Sequence, residues 1–280
     1  MKTRRNFFKT SGLVLLGSSL APGLMAQKQI KGTQGPDKIQ FTLGLASYTT
    51  REFSLDDTIK MAQRVGLKRI GLKSFHLSLT ATAEECKNAS EKLKAAGLDF
   101  YNAGVIYMKT REEIDQAFTY AKACKISIII GVPAHELLEY TQQKVKETDI
   151  MVAIHNHGPG DTLYPTVGSI YDKIKSMDKR IGICMDIGHI VRLDRDPSAE
   201  AKEFFDRIME IHIKDEDMRT PEGKPVEIGR GVTDIPGFLK TVVNLRYKGG
   251  ISFEYEKDAK DPLPGLAESV GYVRGVLASI

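Results

Sequence analysis

Four short apolar runs in the second half of the chain carry ionisable residues at or near their ends. They are His155-Asn156-His157-Gly158-Pro159, Asp186-Ile187-Gly188-His189, Ile211-His212-Ile213-Lys214-Asp215 and Ser252-Phe253-Glu254-Tyr255-Glu256. If these runs are strands, their side chains alternate between two faces. His155 then shares a face with His157, Asp186 with Cys184, His212 with Lys214, and Glu254 with Glu256. Ile154, Ile183, Met185, Ile211, Ile213, Phe253 and Tyr255 fall on the opposite face, where apolar residues would pack against outer helices. Burying unpaired charges on one face is costly unless something compensates them. Two carboxylates and at least two imidazoles converging from neighbouring strands form a natural cage for a divalent cation. A buried ion-pair network without metal is the structural alternative. The mixed donor set suits one Mn, Co or Zn ion, with Mg or Fe also admissible. The few thiols argue against a cysteine-based zinc site, and Cys184, one layer below Asp186, reads as packing.

The elements that must carry these residues follow from hydrophobic periodicity. From Ile39 onward a short β-rich apolar run is followed by an amphipathic helical stretch, and the pattern repeats eight times. Strands are predicted near 41–48, 69–75, 99–106, 127–132, 151–157, 181–187, 210–214 and 251–256. Helices are predicted near 55–65, 83–96, 111–123, 136–147, 164–177, 199–207, 235–245 and 266–277. Ser54 stands where a helix cap belongs, with Asp56 and Asp57 in the first turn after it. Gly66 and Gly97 follow the first two helices, where a C-terminal glycine belongs. Eight strand-helix units over residues 39–280 predict a single-domain (β/α)8 TIM barrel. An open doubly wound sheet would want a Gly-rich phosphate turn after its first strand, and Leu45-Ala46-Ser47-Tyr48 offers none. In a barrel, function is read at the C-terminal ends of the strands, where the four polar runs lie.

The 280 residues are 41% hydrophobic and 27% charged, which excludes disordered, collagen-like and disulfide-scaffold classes. The formal charge of +4 resides in residues 1–26, which hold Lys2, Arg4, Arg5 and Lys9 and no acid. The remainder carries no net charge, which argues against a nucleic-acid partner. Thr3-Arg4-Arg5-Asn6-Phe7-Phe8-Lys9 resembles a twin-arginine export signal. A short apolar stretch and Ala26 follow it. We therefore expect a signal peptide over 1–26, a polar linker over 27–38, periplasmic localisation and no membrane association after signal removal. The apolar stretch is much shorter than the ~20 residues of a spanning helix. Cys86, Cys124 and Cys184 share no CxxC spacing and are expected to be packed thiols.

At its polar runs the chain resembles the xylose-isomerase-like barrel superfamily, which includes sugar-phosphate isomerases and epimerases, inosose dehydratase and endonuclease IV. The motifs that carry the resemblance are Met185-Asp186-Ile187-Gly188-His189, Ile211-His212-Ile213-Lys214-Asp215, Glu227-Ile228-Gly229-Arg230-Gly231 with Asp234, and Glu254-Tyr255-Glu256. The resemblance spans nearly all of residues 40–280. It implies a metal held by one residue from each of strands five to eight. The family's Asp, His and Glu fall on Asp186, His212 and Glu254. The family's fifth-strand Glu, which many members use as a base, falls on His155, and that is the main departure.

The resemblance implies proton removal beside the carbonyl of a keto-sugar or related carbohydrate, through an enediolate that the metal stabilises. Its collapse gives isomerisation, epimerisation or elimination. His157, His189 and Lys214 are the candidates for base, acid or carbonyl partner, and Lys73, His76 and Glu256 for substrate binding. For each, an orienting or solvated structural role is the alternative. A small-molecule carbohydrate is thus the expected partner, with homo-oligomerisation open. The competing functions are a non-catalytic sugar-binding barrel and an endonuclease IV-like phosphodiesterase. The latter would want more His and acidic ligands on strands two to four than His76 and His135 supply.

Overall fold

The computed structural model describes residues 39–280. The export-signal and linker assignments, 1–26 and 27–38, lie outside the described residues. The elements run in the order β1 (Thr42–Ala46), α1 (Leu55–Arg64), β2 (Arg69–Leu72), α2 (Ala83–Ala95), β3 (Asp99–Met108), α3 (Arg111–Cys124), β4 (Ile128–Pro133), α4 (Leu138–Thr148) and β5 (Met151–His155). Then come α5 (Val167–Ile174), β6 (Ile181–Asp186), α6 (Ile187–Val191), α7 (Pro197–Glu203), β7 (Ile208–Ile213), β8 (Asp215–Glu216), β9 (Pro225–Val226), α8 (Ile235–Asn244), β10 (Gly250–Phe253) and α9 (Leu263–Leu277). Eight parallel strands close in the order β1-β10-β7-β6-β5-β4-β3-β2, a (β/α)8 TIM barrel. The short β8–β9 pair is an antiparallel hairpin on the loop after β7. Among the described residues no helix is long and apolar enough to cross a membrane.

Local chemistry sets the helix ends. The Asp57 amide donates to Ser54 Oγ at 3.1 Å and starts α1. Thr82 with Glu85, and Thr110 with Glu113, form capping boxes that start α2 and α3. Gly66 and Gly97 close the first two helices at φ of 71° and 75°, a region where a side chain would be strained.

Alternation along the strands builds two layers. Ile154, Ile183, Met185, Ile211, Ile213 and Phe253 join the main apolar cluster between barrel and helices. The inner face is partly polar from bottom to top. Near the floor, Tyr101 and Ser252 hydroxyls donate to Glu210 Oε1. Burial raises the pKa of this carboxyl. The Arg69 guanidinium lies 3.6 Å from the Tyr101 ring centre and closes the floor. Cys86, Cys124 and Cys184 are free and buried.

Several strands stop sooner than their sequence suggests. β2 ends at Leu72, β5 at His155 and β10 at Phe253, so Lys73, His76, His157, Glu254 and Glu256 stand on the turns just above the ladder. At β5 the cause is visible: the His157 amide turns away to Tyr164 O at 3.0 Å, and Gly158 takes a φ of 75°. β3 runs longer, to Met108, past a register shift between Gly104 and Ile106.

Candidate metal centre at the barrel mouth

Strand register gathers the polar residues. His155 lies opposite Cys184 across β5–β6, and Asp186 lies opposite His212 across β6–β7. His212 in turn pairs with Ser252, so Glu254 emerges beside it at the top of β10. One donor atom each from His155, Asp186, His212 and Glu254 lies within 4.8 Å of every other. His155 Nε2 is 3.2 Å from His212 Nδ1 and 3.4 Å from Asp186 Oδ2. His212 Nδ1 is 3.2 Å from Glu254 Oε2. Ligands held about 2.1 Å from a tetrahedral ion sit roughly 3.4 Å apart, so the four donors fit a divalent cation. All four side chains are buried.

Asp186 reaches the site through a double role. It ends β6 and caps α6, its Oδ1 accepting the His189 amide at 3.1 Å. Asn156, fully buried, clamps it from the side. The Asp186 amide donates to Asn156 Oδ1 at 2.8 Å, and Asn156 Nδ2 donates to the Asp186 carbonyl at 3.1 Å. Asp186 Oδ2 is left facing the cage. Lys214 Nζ stands 2.9 Å from it, but in poor hydrogen-bonding alignment.

Lys214 is the cation of the site. Its Nζ is 2.9 Å from Glu254 Oε2 as well, and it also contacts Glu256 Oε1. Asp215, its neighbour in sequence, is not among its ion-pair partners in the described residues. Asp215 instead accepts the amides of Glu216, Gly229, Gly231 and Thr233 and ties the loop beyond β8 together. Lys73 Nζ lies 3.9 Å from Glu254 Oε1 and 5.0 Å from the Tyr48 ring centre.

Electrostatics follow from burial and these neighbours. Burial works to raise the Asp186 and Glu254 carboxyls. For Asp186 it is outweighed by His189, Lys214 and His155, and for Glu254 by Lys214, His212 and Lys73. Both therefore remain ionised. Burial lowers His155 well below the usual imidazole range. It also lowers His157, and takes His189 to about 4. His212 goes the other way. Burial opposes its proton, but Cys184 and Glu254 favour it. Burial holds the Cys184 thiol near 11, so at neutral pH Glu254 is the charged partner. A proton and a metal ion compete for His212.

His157 and His189 line the same chamber. The His157 ring centre is 4.5 Å from that of His155 and 6.1 Å from that of His189. His157 Nε2 is 3.1 Å from the Tyr107 hydroxyl, and Nδ1 of both His157 and His189 lacks a hydrogen-bond partner.

One assignment needs correction. His76 does not offer its ring to the mouth: Nδ1 is 2.9 Å from Ser47 Oγ, and Nε2 is 3.0 Å from Thr58 Oγ1 and 3.1 Å from Phe53 O. It braces the β1 and β2 loops, because the chain turns at Lys73 before position 76 can reach the rim. Cys184 is buried against Tyr101, Ile128, Ile130 and Ala153, in keeping with its reading as a packed thiol, and its sulfur also lies within 4.8 Å of a ring nitrogen of both His155 and His212. Asn156 and Glu216 were not singled out from the sequence. Glu216 is buried, and burial raises its carboxyl to about 7 against the pull of Lys214. It continues the inward parity of His212 and Lys214, the signal that could have found it.

The family model of the xylose isomerase-like TIM barrel matches residues 48–276. Residues of this chain are 34% identical over 83 positions to the putative L-ribulose-5-phosphate 3-epimerase SgbU of Escherichia coli (strain K12). That stretch is 28% of this chain and 29% of the relative, so the chain matches less than a third of the relative's length. Among solved structures, an L-ribulose 3-epimerase superposes with a TM-score of 0.71 at 12% identity, covering 85% of this chain and 95% of that one. The IOLI protein with a binding zinc atom gives 0.70 at 13% identity, covering 85% and 97%. At these identities the two structures share the fold.

Proposed function

The chain belongs to the xylose isomerase-like TIM barrel family, and we propose that it is a divalent-metal-dependent sugar isomerase or epimerase, or a carbon–oxygen lyase, acting on a keto-sugar. The observation that carries this reading is the convergence of His155, Asp186, His212 and Glu254 at the C-terminal mouth of the barrel. The zinc atom of the IOLI structure, and the fact that the other two similar proteins are named as epimerases, support it. A divalent cation in this cage would polarise a substrate carbonyl and stabilise the negative charge left by removal of the neighbouring proton.

The chain's own groups do the rest. Burial keeps the His157 imidazole neutral at pH 7, which suits it to act as the base. The Tyr107 hydroxyl, 3.1 Å from Nε2, holds the ring in place. His189, also neutral, supplies a second imidazole for returning a proton. Lys214 carries a permanent positive charge beside Asp186 and Glu254 and favours charge developing on substrate oxygen. Lys73 and Glu256 stand at the rim, where hydroxyl groups would be bound. The twin-arginine-like start supports an exported enzyme, which meets free sugars more readily than sugar phosphates.

The test is exchange of the α-proton of a panel of keto-sugars in heavy water, with metal-stripped and metal-restored protein. Exchange that needs both metal and His157 is expected. Its absence across the panel refutes the enediolate reading and favours a sugar-binding barrel.

A further inference from the structure

Beneath the rim the two imidazoles belong to a second group of donors. Sγ of Cys184 and one ring nitrogen each of His155 and His212 lie within 4.8 Å of one another, and all three residues are buried. Register explains the grouping. Cys184 and Asp186 are successive inward residues of β6, with His155 opposite Cys184 and His212 opposite Asp186. The imidazoles are therefore common to a thiol in one layer and carboxylates in the next. His155 Nδ1, in a side chain 3% exposed, has no hydrogen-bond partner. A ligating imidazole ordinarily has its second nitrogen fixed by such a partner. This ring is therefore not locked to the upper set alone.

We propose that His155, Cys184 and His212 form a sulfur-containing ligand set for a thiophilic divalent cation, Zn2+ in the first place, overlapping the oxygen-rich set completed by Asp186 and Glu254. The proposal rests on the reading of this centre as a divalent-cation site and says which donors each class of ion meets. Thiolate and imidazole suit Zn2+, whereas carboxylate-rich surroundings suit Mn2+ and Mg2+. Binding at sulfur exchanges the thiol proton for the ion and releases the proton to solvent. The identity of the ion then decides how much of it the Asp186 and Glu254 carboxylates retain, so Zn2+ and Mn2+ forms differ in more than affinity.

The test uses purified protein stripped with a chelator and loaded with Co2+ or Zn2+. A thiolate-to-cobalt charge-transfer absorption is expected, with a sulfur neighbour at about 2.3 Å from zinc by X-ray absorption. Both signatures vanish in Cys184→Ser. Zn2+ affinity then falls at least about tenfold, while Mn2+ affinity stays within about twofold. The Asp186→Asn/Glu254→Gln double variant keeps the sulfur signature. Cobalt bound with only nitrogen and oxygen neighbours overturns the inference and leaves the proposed function standing. Failure to take up either ion overturns both. Equal loss of Zn2+ and Mn2+ in Cys184→Ser marks the thiol as packing, and loss of the sulfur signature in the double variant removes the separate set.

Discussion

Among the described residues Lys214 is the one buried cation that contacts all three of Asp186, Glu254 and Glu256, and Lys214→Met removes it while keeping most of its bulk. Side-chain exposures are 3% for Lys214, 0% for Asp186 and 5% for Glu254, so water screens these pairs little. Removing one partner of a buried ion pair costs about 3–5 kcal/mol, because the other charge stays behind uncompensated. For a domain of this size each kcal/mol moves Tm by about 2–4 °C, so a fall of roughly 6–20 °C is expected in chelator. A divalent cation supplies the missing charge to the same two carboxylates. An ion at a hundred times its Kd stabilises by about 2.7 kcal/mol, and Mn2+ should therefore recover more of Tm in the variant than it adds to the native protein. Thermal unfolding with chelator and with a Mn2+ series measures both quantities. A variant as stable as the native protein in chelator, or equal Mn2+ stabilisation of the two, would refute the view that Lys214 and the metal answer the same carboxylates.

Three further outcomes are expected. Asp186→Ala and His212→Ala should each abolish retention of Mn2+, read by elemental analysis, while circular dichroism shows the barrel intact; full Mn2+ stoichiometry in both counts against the cage. Asn156→Ala removes both bonds that clamp the Asp186 backbone and should cost about 2–3 kcal/mol, seen as a lower urea midpoint; an unchanged midpoint would show that the clamp is dispensable. Glu216 has a folded pKa of about 7 against an ordinary 4.5, so it favours folding in its neutral form at low pH. That advantage is intact below its unfolded value and disappears as pH rises through about 7, where the buried carboxylate becomes a penalty. Glu216→Gln should thus be more stable than the native protein at pH 8, by roughly 2–3 kcal/mol, and no more stable at pH 4; a constant difference across that range would deny the shift.

The barrel was legible because alternation and helical periodicity repeat eight times, and each repeat supports the same register. Three of the cage residues were legible for the same reason: period two alone sends His155, Asp186 and His212 inward, and Glu254 follows β10 one residue past its end. What the sequence concealed begins where ladders end. Beyond Phe253 the Glu254 amide still reaches Ile213 O at 3.2 Å, but beyond Leu72 the chain leaves the ladder, so His76 turned into the scaffold while Lys73 stayed beside Glu254. Asn156 has outward parity on β5, which reads as a packing position; its pairing with the Asp186 backbone is a contact 30 residues away. Tyr107 meets His157 across 50 residues and depends on the irregular course of β3. The Gly229 and Gly231 amides, part of a motif that carries the family resemblance, donate to Asp215.

That gathering of four amides by Asp215 has a consequence for how the rim can be altered. The base of the hairpin is anchored at one carboxylate, and the β8–β9 pairing of Glu216 with Pro225 closes it. The Asp217 amide still reaches Lys224 O at 2.9 Å, but residues 218–223 form an apex that the anchor does not include. The apex has its own ties, Arg192 Nη2 donating to the Pro221 carbonyl at 2.7 Å and Arg219 Nε to Asp194 Oδ1 at 2.7 Å, so it is held by the α6–α7 segment and not by Asp215. Changes at the apex are therefore expected to act through the α6–α7 segment and not through the carboxylate that anchors the base of the hairpin.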